Sequence, residues 1–189
     1  MKRSDINSLI SSALACYTSH GWSLPPKPRW DVTDFGLGDC YQFGLVLVNL
    51  AEEPEYCEKL MYAQKRMTTP AHTHRKKKED IICRWGKLAV QIWAGHPAET
   101  EGKPVVIPVN HEPQEFVSGA VIELEAGSRV TLVPGVYHAF YPLSKECIIG
   151  EVSTANDDLN DNFFLNPEIG RYPGIEEDES IVTRLISES

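Results

Sequence analysis

The sequence predicts an all-β protein, and two observations carry that prediction. From Trp30 onward the chain is a succession of short runs rich in Val, Ile, Leu and aromatic residues. Gly, Pro and Asn break these runs at short intervals. Many short strands separated by such turns suit a sandwich or barrel rather than βαβ units.

Taken in order, residues 4–20 read as a helix. Ser4 is its expected N-cap, and Ile6, Leu9, Ile10, Ala13, Leu14 and Tyr17 form one apolar stripe. Gly21 can end it and Pro25-Pro26 prevents its resumption. Such a helix packs on the outside of a barrel, covers a site or pairs subunits. CYQFGLVLVNL (40–50) is a strand, and KLMYAQKRM (59–67) alternates basic and apolar residues as a half-exposed strand should. EDIICRW and KLAVQIW flank Gly86, which predicts a hairpin turn there. VVIPVN, AVIELEAG, RVTLVPG, YHAFYPL and ECIIGEVS complete the β-rich run. Beyond Ser153 the chain is too polar for another core strand, so it either crosses the barrel mouth or extends into solvent, and a short helix over residues 178–187 closes it. The expected organisation is one domain, 1–189, comprising an N-terminal helix and linker (1–29), a barrel (30–153) and a C-terminal extension (154–189).

Composition narrows the function classes. With 189 residues, 42% hydrophobic and 24% charged, the chain is of ordinary globular composition and can bury a substantial core. A net charge of −9 argues against nucleic-acid or anionic-membrane partners. No stretch is long and apolar enough to span a bilayer, and MKRSDINSL lacks the apolar core of a signal peptide. Cysteines 16, 40, 57, 83 and 147 are odd in number and free of CxxC spacing. They read as reduced thiols in a cytoplasmic protein.

The chemistry concentrates in PAHTHRKKKEDIICRWG (70–86), whose skeleton is His72-x-His74-x4-Glu79-x6-Gly86. Two histidines two apart on a strand share a face. A carboxylate beyond a short turn or bulge can return to the same point. Neutral imidazoles plus one carboxylate form the donor set of a catalytic divalent metal site. Pro134-Gly135-Val136-Tyr137-His138 offers a further histidine after a tight turn.

With both segments in view, the chain resembles the cupin superfamily, whose first motif runs HxHx3-4Ex6G and whose second ends in PG followed by xxH. The first motif fits at every position, and the second fits at Pro134, Gly135 and His138, with Gly127 standing one residue too far upstream. The resemblance implies a double-stranded β-helix, or jelly roll, with the metal inside the barrel.

Three further residues bear on function. The run Arg75-Lys76-Lys77-Lys78 reads as an exposed basic loop, yet Lys77 shares strand parity with Glu79 and so faces the cavity if Glu79 faces the metal. Glu151 sits inside the apolar strand IIGEVS, facing either outward or into the barrel, where it would serve as a proton shuttle. Lys65 is either an exposed cross-strand charge or a cavity residue.

HTHRKKKEDI, WGKLAVQIW, PGVYHAFY, IIGEVSTANDDLNDNFF and GRYPGIEEDE together resemble the D-lyxose isomerase family of cupins over roughly residues 30–180. That resemblance implies a ketol-isomerase interconverting D-lyxose and D-xylulose, with a divalent metal on His72, His74, Glu79 and His138. The family metal is commonly Mn2+, while Fe2+, Co2+, Ni2+ and Zn2+ suit the same donors. It also implies Lys77 as a substrate-site lysine, Glu151 as acid/base, and Asp161 and Arg171 as substrate-binding residues; Lys65 joins them as a substrate-binding residue on its strand position alone, if it faces the cavity. The partner is an aldopentose or ketopentose, and the assembly expected is a homodimer. Metal polarisation of the substrate oxygens with proton transfer through a cis-enediol fits this inventory, and a hydride shift competes with it. A metal-dependent cupin oxygenase and a non-enzymatic sugar-binding cupin are the alternatives.

Overall fold

A computed structural model describes residues 1–157, 160–169 and 174–188. A helix α1 (Arg3–Ser19) precedes β1 (Arg29–Thr33), β2 (Leu45–Glu52), β3 (Tyr56–Gln64), β4 (Thr69–Thr73), β5 (Glu79–Trp85) and β6 (Lys87–Trp93). A single helical turn, α2 (Pro97–Thr100), leads to β7 (Pro104–Val109), β8 (Glu112–Val117), β9 (Val121–Glu125), β10 (Arg129–Leu132), β11 (Tyr137–Pro142), β12 (Glu146–Thr154) and β13 (Phe163–Phe164). Antiparallel pairing builds two sheets, ordered β1-β2-β3-β12-β5-β10-β7-β8 and β13-β4-β11-β6-β9. This is the all-β jelly roll expected from the sequence. The core fills the space between the sheets with side chains such as Ile81, Leu88, Val90, Ile92, Ile107, Val130, Leu132 and Ile149, each at most 1% exposed. No helix among the described residues is long and apolar enough to cross a membrane. All five cysteines are buried and free, although the Cys83 and Cys147 sulfurs approach to 3.9 Å.

Several local expectations are corrected. Gly86 does not turn a hairpin, because β5 and β6 belong to different sheets. Gly86 is instead the corner between them. Its φ is +86°, and a Cβ there would lie 2.5 Å from Ser144 Oγ and 2.6 Å from the Glu146 carbonyl oxygen, so only glycine fits. β3 is not half-exposed. It lies between β2 and β12, and Leu60 to Ala63 are all buried, while Lys65 and Arg66 fall in the turn that follows it. β8 went unread in the sequence because its face is polar and it carries Pro113. It pairs with β7 across Asn110-His111, both at positive φ (51° and 72°), as a two-residue primed turn requires.

The chain ends differ as well. Ser4 lies inside α1, which is preceded by Lys2 with no side-chain cap. The Ser4 amide and hydroxyl instead donate to the Asp178 carboxylate at 2.9 and 2.8 Å, so the cap comes from the far end of the chain. Leu14 is 48% exposed and leaves the stripe, and Cys16 takes its place in the core. The helix expected over 178–187 is reduced to a 3-10 turn, Ile186–Glu188. Asp178, Glu179, Ser180 and Val182 spend their polar groups on Ser4 and Asn7 rather than on an intrasegment ladder. The extension does not run free into solvent: Phe163–Phe164 pairs with β4, and Glu176 exchanges backbone hydrogen bonds with Met1 and Arg3.

Candidate metal centre and adjoining cavity

His72 lies on β4, His74 just beyond its end, Glu79 at the start of β5, and His138 on β11 directly opposite His72. The Pro134-Gly135 turn, with Gly135 at φ +89°, donates the Gly135 amide to the His74 carbonyl at 2.8 Å and so locks the two motifs together. One ligand atom from each of His72, His74, Glu79 and His138 falls within 4.8 Å of the others. All four residues are buried, at 6, 4, 3 and 1% exposure.

Each imidazole is oriented from behind. The Nδ1 atoms of His72, His74 and His138 pair with the carbonyls of Pro70, Asp161 and Val136 at 2.8, 2.5 and 3.3 Å. An Nδ1–H donated to a carbonyl leaves Nε2 as the lone-pair nitrogen, the arrangement of a metal-ligating histidine. Burial, followed by the neighbouring His138 and His74, holds the His72 imidazole well below its usual range, in the neutral form a metal needs. His74 Nε2, His138 Nε2 and Glu79 Oε1 are buried without hydrogen-bond partners. Glu79 Oε1 stands 2.8 Å from His138 Nε2 and 3.4 Å from His74 Nε2, so lone pairs converge on one point. Orphaned buried acceptors are costly, and a shared divalent cation satisfies all of them. The residues present therefore fit a divalent metal ion.

Beside this cluster runs a ladder of alternating charge. Lys77 Nζ reaches Glu79 Oε2 at 2.8 Å and Glu151 Oε1 at 3.0 Å, and Lys59 Nζ reaches the same Glu151 oxygen at 3.4 Å. Burial alone would push the Lys77 ammonium down, but Glu151 and Glu79 outweigh it and hold it above its ordinary value. Burial alone would likewise raise Glu79, but Lys77 keeps its carboxyl well below the usual range. The ladder forms one wall of a cavity of about 500 Å³. His72, His74, Glu79, Lys77, Glu151 and Lys59 line its polar side, and Phe35, Phe140 and Phe164 its apolar side. Cross-strand register explains the grouping, because Glu151 on β12 faces Lys59 on β3 and Ile81 on β5.

Lys65 does not join the cavity. It is exposed in the turn after β3, its amide bonded to the Lys145 carbonyl. Lys59, in the same basic–apolar run, is the cavity lysine; it shares parity with Met61 and registers with Glu151, a pairing visible only once β3 and β12 are known neighbours. Asp161 reaches the site as a clamp and not as a cavity side chain. Its carboxylate accepts the amides of Arg75 and Lys77 at 2.8 Å and that of Lys76 at 3.1 Å. Burial opposes the charge, but these three amides prevail and hold its carboxyl below the ordinary range. Arg171 lies outside the described residues. Asn162, whose buried Oδ1 lacks a partner, lines the cavity and went unread in the sequence.

The family model described as D-lyxose isomerase matches residues 27–189. The chain belongs to the D-lyxose isomerase family. A D-lyxose/D-mannose isomerase of Escherichia coli O157:H7 is 32% identical to it, covering 95% of this chain and 94% of that one. Another, from Serratia proteamaculans, is 36% identical over 81% of this chain and 72% of that one. Among solved structures, the L-ribose isomerase of Acinetobacter sp. DL28 in complex with L-ribose superposes with a TM-score of 0.68 at 16% identity, covering 89% of this chain and 94% of that one. That likeness shows the fold, the cupin double-stranded β-helix. Family membership makes the chain an aldose–ketose isomerase, which removes the oxygenase and the non-enzymatic sugar-binding alternatives.

Proposed function

We propose that the protein interconverts D-lyxose and D-xylulose, and accepts D-mannose as the hexose with the same arrangement at C2. The names of its relatives support the substrate. One observation supports the mechanism most: Glu151 is a buried carboxylate held between two lysines on the cavity wall, separate from the four-residue ligand cluster yet joined to it through Lys77. In this reading His72, His74, Glu79 and His138 hold one divalent metal, with Mn2+ the proposed ion. When bound, it supplies Lewis-acid polarisation of adjacent sugar oxygens.

The chain's own residues do the rest. Glu151 takes the proton from C2, and the electrons of the C2–H bond move into a C1–C2 double bond as the carbonyl pair moves onto O1. Lys77 presents its ammonium to the oxygen on which charge develops. Transfer of hydrogen between O2 and O1 and return of the proton from Glu151 to C1 complete the ketose through a cis-enediol. Lys59 and Lys77 keep Glu151 in place for both transfers. Phe35, Phe140 and Phe164 limit the water that would compete for its proton. The reading treats residues 1–189 as one domain working in the cytoplasm as a homodimer.

The test pairs a panel of aldopentoses and aldohexoses, assayed for ketose, with Glu151→Gln. That substitution keeps shape and hydrogen bonding but removes basicity. Turnover of D-lyxose should fall by about 10²–10⁴-fold while metal content stays at the wild-type level, and wild-type turnover in D2O should place deuterium in the product. Wild-type activity in Glu151→Gln would remove Glu151 as the base. Complete retention of the substrate's hydrogen would favour the hydride shift.

A further inference from the structure

The two ends of the chain meet over the sugar cavity. Met1, Ile175, Glu177, Leu185 and Glu188 line it alongside the metal-cluster residues, although none belongs to the two histidine motifs or to the ladder of lysines and glutamates. Sheet topology explains why something must cover it there. β1 is the edge of the larger sheet and β13 the edge of the smaller, and Val32 and Thr33 of the first and Phe164 of the second line the cavity, so two sheet edges border it. The extension is anchored on both sides of it. Phe163–Phe164 pairs with β4, the strand of His72. Residues 174–188 are tied to the start of α1, which packs against β1 and β2.

The tie is a buried latch. The Arg3 side chain is fully buried and makes four hydrogen bonds to two carboxylates. Nε and Nη2 contact Glu177 at 2.9 and 2.7 Å, and Nη1 and Nη2 contact Glu188 at 3.1 and 2.5 Å. An arginine fork is suited to holding two carboxylates at once, which a lysine cannot do with the same geometry. Around it lie the Glu176–Met1 and Glu176–Arg3 backbone pairs, Ser4 on Asp178, and Asn7 on Glu179 and Ser180. Glu177 is 52% exposed while also lining the cavity, so this seam is where cavity and solvent meet.

We propose that residues 174–188 form a strap across the mouth of the sugar cavity, latched by Arg3 through Glu177 and Glu188, and that the latch retains the sugar without taking part in metal binding or proton transfer. This rests on the sugar-isomerase reading above. Arg3 is thus a positioning residue: it acts through the two carboxylates that line the cavity. Opening the latch weakens every bound state of the sugar alike, so it alters KM and leaves kcat nearly alone.

The experiment uses the full-length Mn2+-loaded enzyme and compares Arg3→Met, Arg3→Lys and, as a milder change at the half-exposed partner, Glu177→Gln. Arg3→Met should raise KM for D-lyxose by about tenfold with kcat within about twofold, the signature of lost uniform binding. Arg3→Lys should fall between it and wild type. Metal content should not change. Limited trypsin digestion followed by mass spectrometry should show faster cleavage after Arg184 in the variants, and saturating D-lyxose should slow that cleavage in wild type. A variant whose tail is cleaved faster but whose KM is unchanged would overturn the role in retention. Wild-type cleavage rates in all the variants would overturn the latch itself. Should Arg3→Met not fold, Glu177→Gln carries the same two readouts. Wild-type enzyme that converts neither D-lyxose nor D-mannose would remove the substrate proposal instead, and the cleavage rates, which need no turnover, would still decide the latch.

Discussion

Replacing Asp161 tests whether the first motif is held in shape from outside itself. Asp161 accepts the amides of Arg75, Lys76 and Lys77, and its own carbonyl accepts His74 Nδ1. Asp161→Ala strips the carboxylate from three amides, while Asp161→Asn leaves one acceptor and turns an NH2 toward a backbone donor. Hydrogen bonds to a charged group contribute about 1.5–3 kcal/mol each. The loop can partly rehydrate, because Arg75, Lys76 and Lys78 are already exposed, so the three do not sum. A loss of about 3 kcal/mol for Asp161→Ala is expected, about the value of one strong or two weak bonds of this kind. At about 2–4 °C per kcal/mol for a chain of this size, that lowers Tm by about 6–12 °C. Because the same clamp orients His74 and spaces it from Lys77 and Glu79, metal affinity should also fall by about 10–100-fold, the usual cost of removing an outer partner of a ligand. Calorimetry of the metal-free protein gives the first quantity, and competition with a chelating dye gives the second. Unchanged Tm and affinity in both variants would refute the clamp. A lower Tm with unchanged affinity would confine Asp161 to stability and detach it from the metal centre.

Two other outcomes are expected. Alanine at His72, His74, Glu79 or His138 should each strip most of the metal while the far-UV spectrum stays β-rich. A variant retaining a full equivalent of metal by elemental analysis would remove that residue from the ligand set. Thiol titration of denatured protein, prepared without reductant, should find all five cysteines free; protection of one pair, with Cys83 and Cys147 the nearest at 3.9 Å, would show that those two oxidise readily.

Fold class and the clustering of His72, His74, Glu79 and His138 were legible in the sequence because both leave short-range regularities. Strand composition and turn residues mark the β-run, and a two-residue spacing puts His72 and His74 on one face whatever the surrounding topology. The errors lie where the outcome depends on which strand sits beside which. Gly86 carries the mark of a hairpin and also that of a corner between sheets, and only the pairing of β5 with β10 and β12 separates them. Lys59 and Lys65 look equivalent within one basic–apolar run, yet the register of β3 against β12 buries the first beside Glu151 and leaves the second in a turn. The chain ends were unreadable for the same reason. Arg3, a charged residue near a terminus, suggests solvent, and nothing local announces that Glu177 and Glu188 bury it.

The spacing of the first motif shows how local pattern and remote contact combine. His72 and His74 are even-numbered, Lys77 and Glu79 odd-numbered, and all four are buried on the cavity side. Strict alternation cannot place both pairs on one face, so the chain must leave extended geometry between His74 and Lys77. It does so at Arg75 and Lys76, which are exposed. Within the run of four basic residues, Lys77 alone turns inward, so the exposed-loop reading and the cavity reading each hold for part of it. A turn in such a stretch leaves consecutive amides without strand partners, and consecutive amides pointing one way make an anion-binding concavity. The Asp161 carboxylate fills it. The break in alternation that brings a lysine and a carboxylate to the two histidines thus creates the need for an acid from elsewhere in the chain. The polar segment after Ser153 supplies that acid, which gives this segment a role the motif alone cannot reveal.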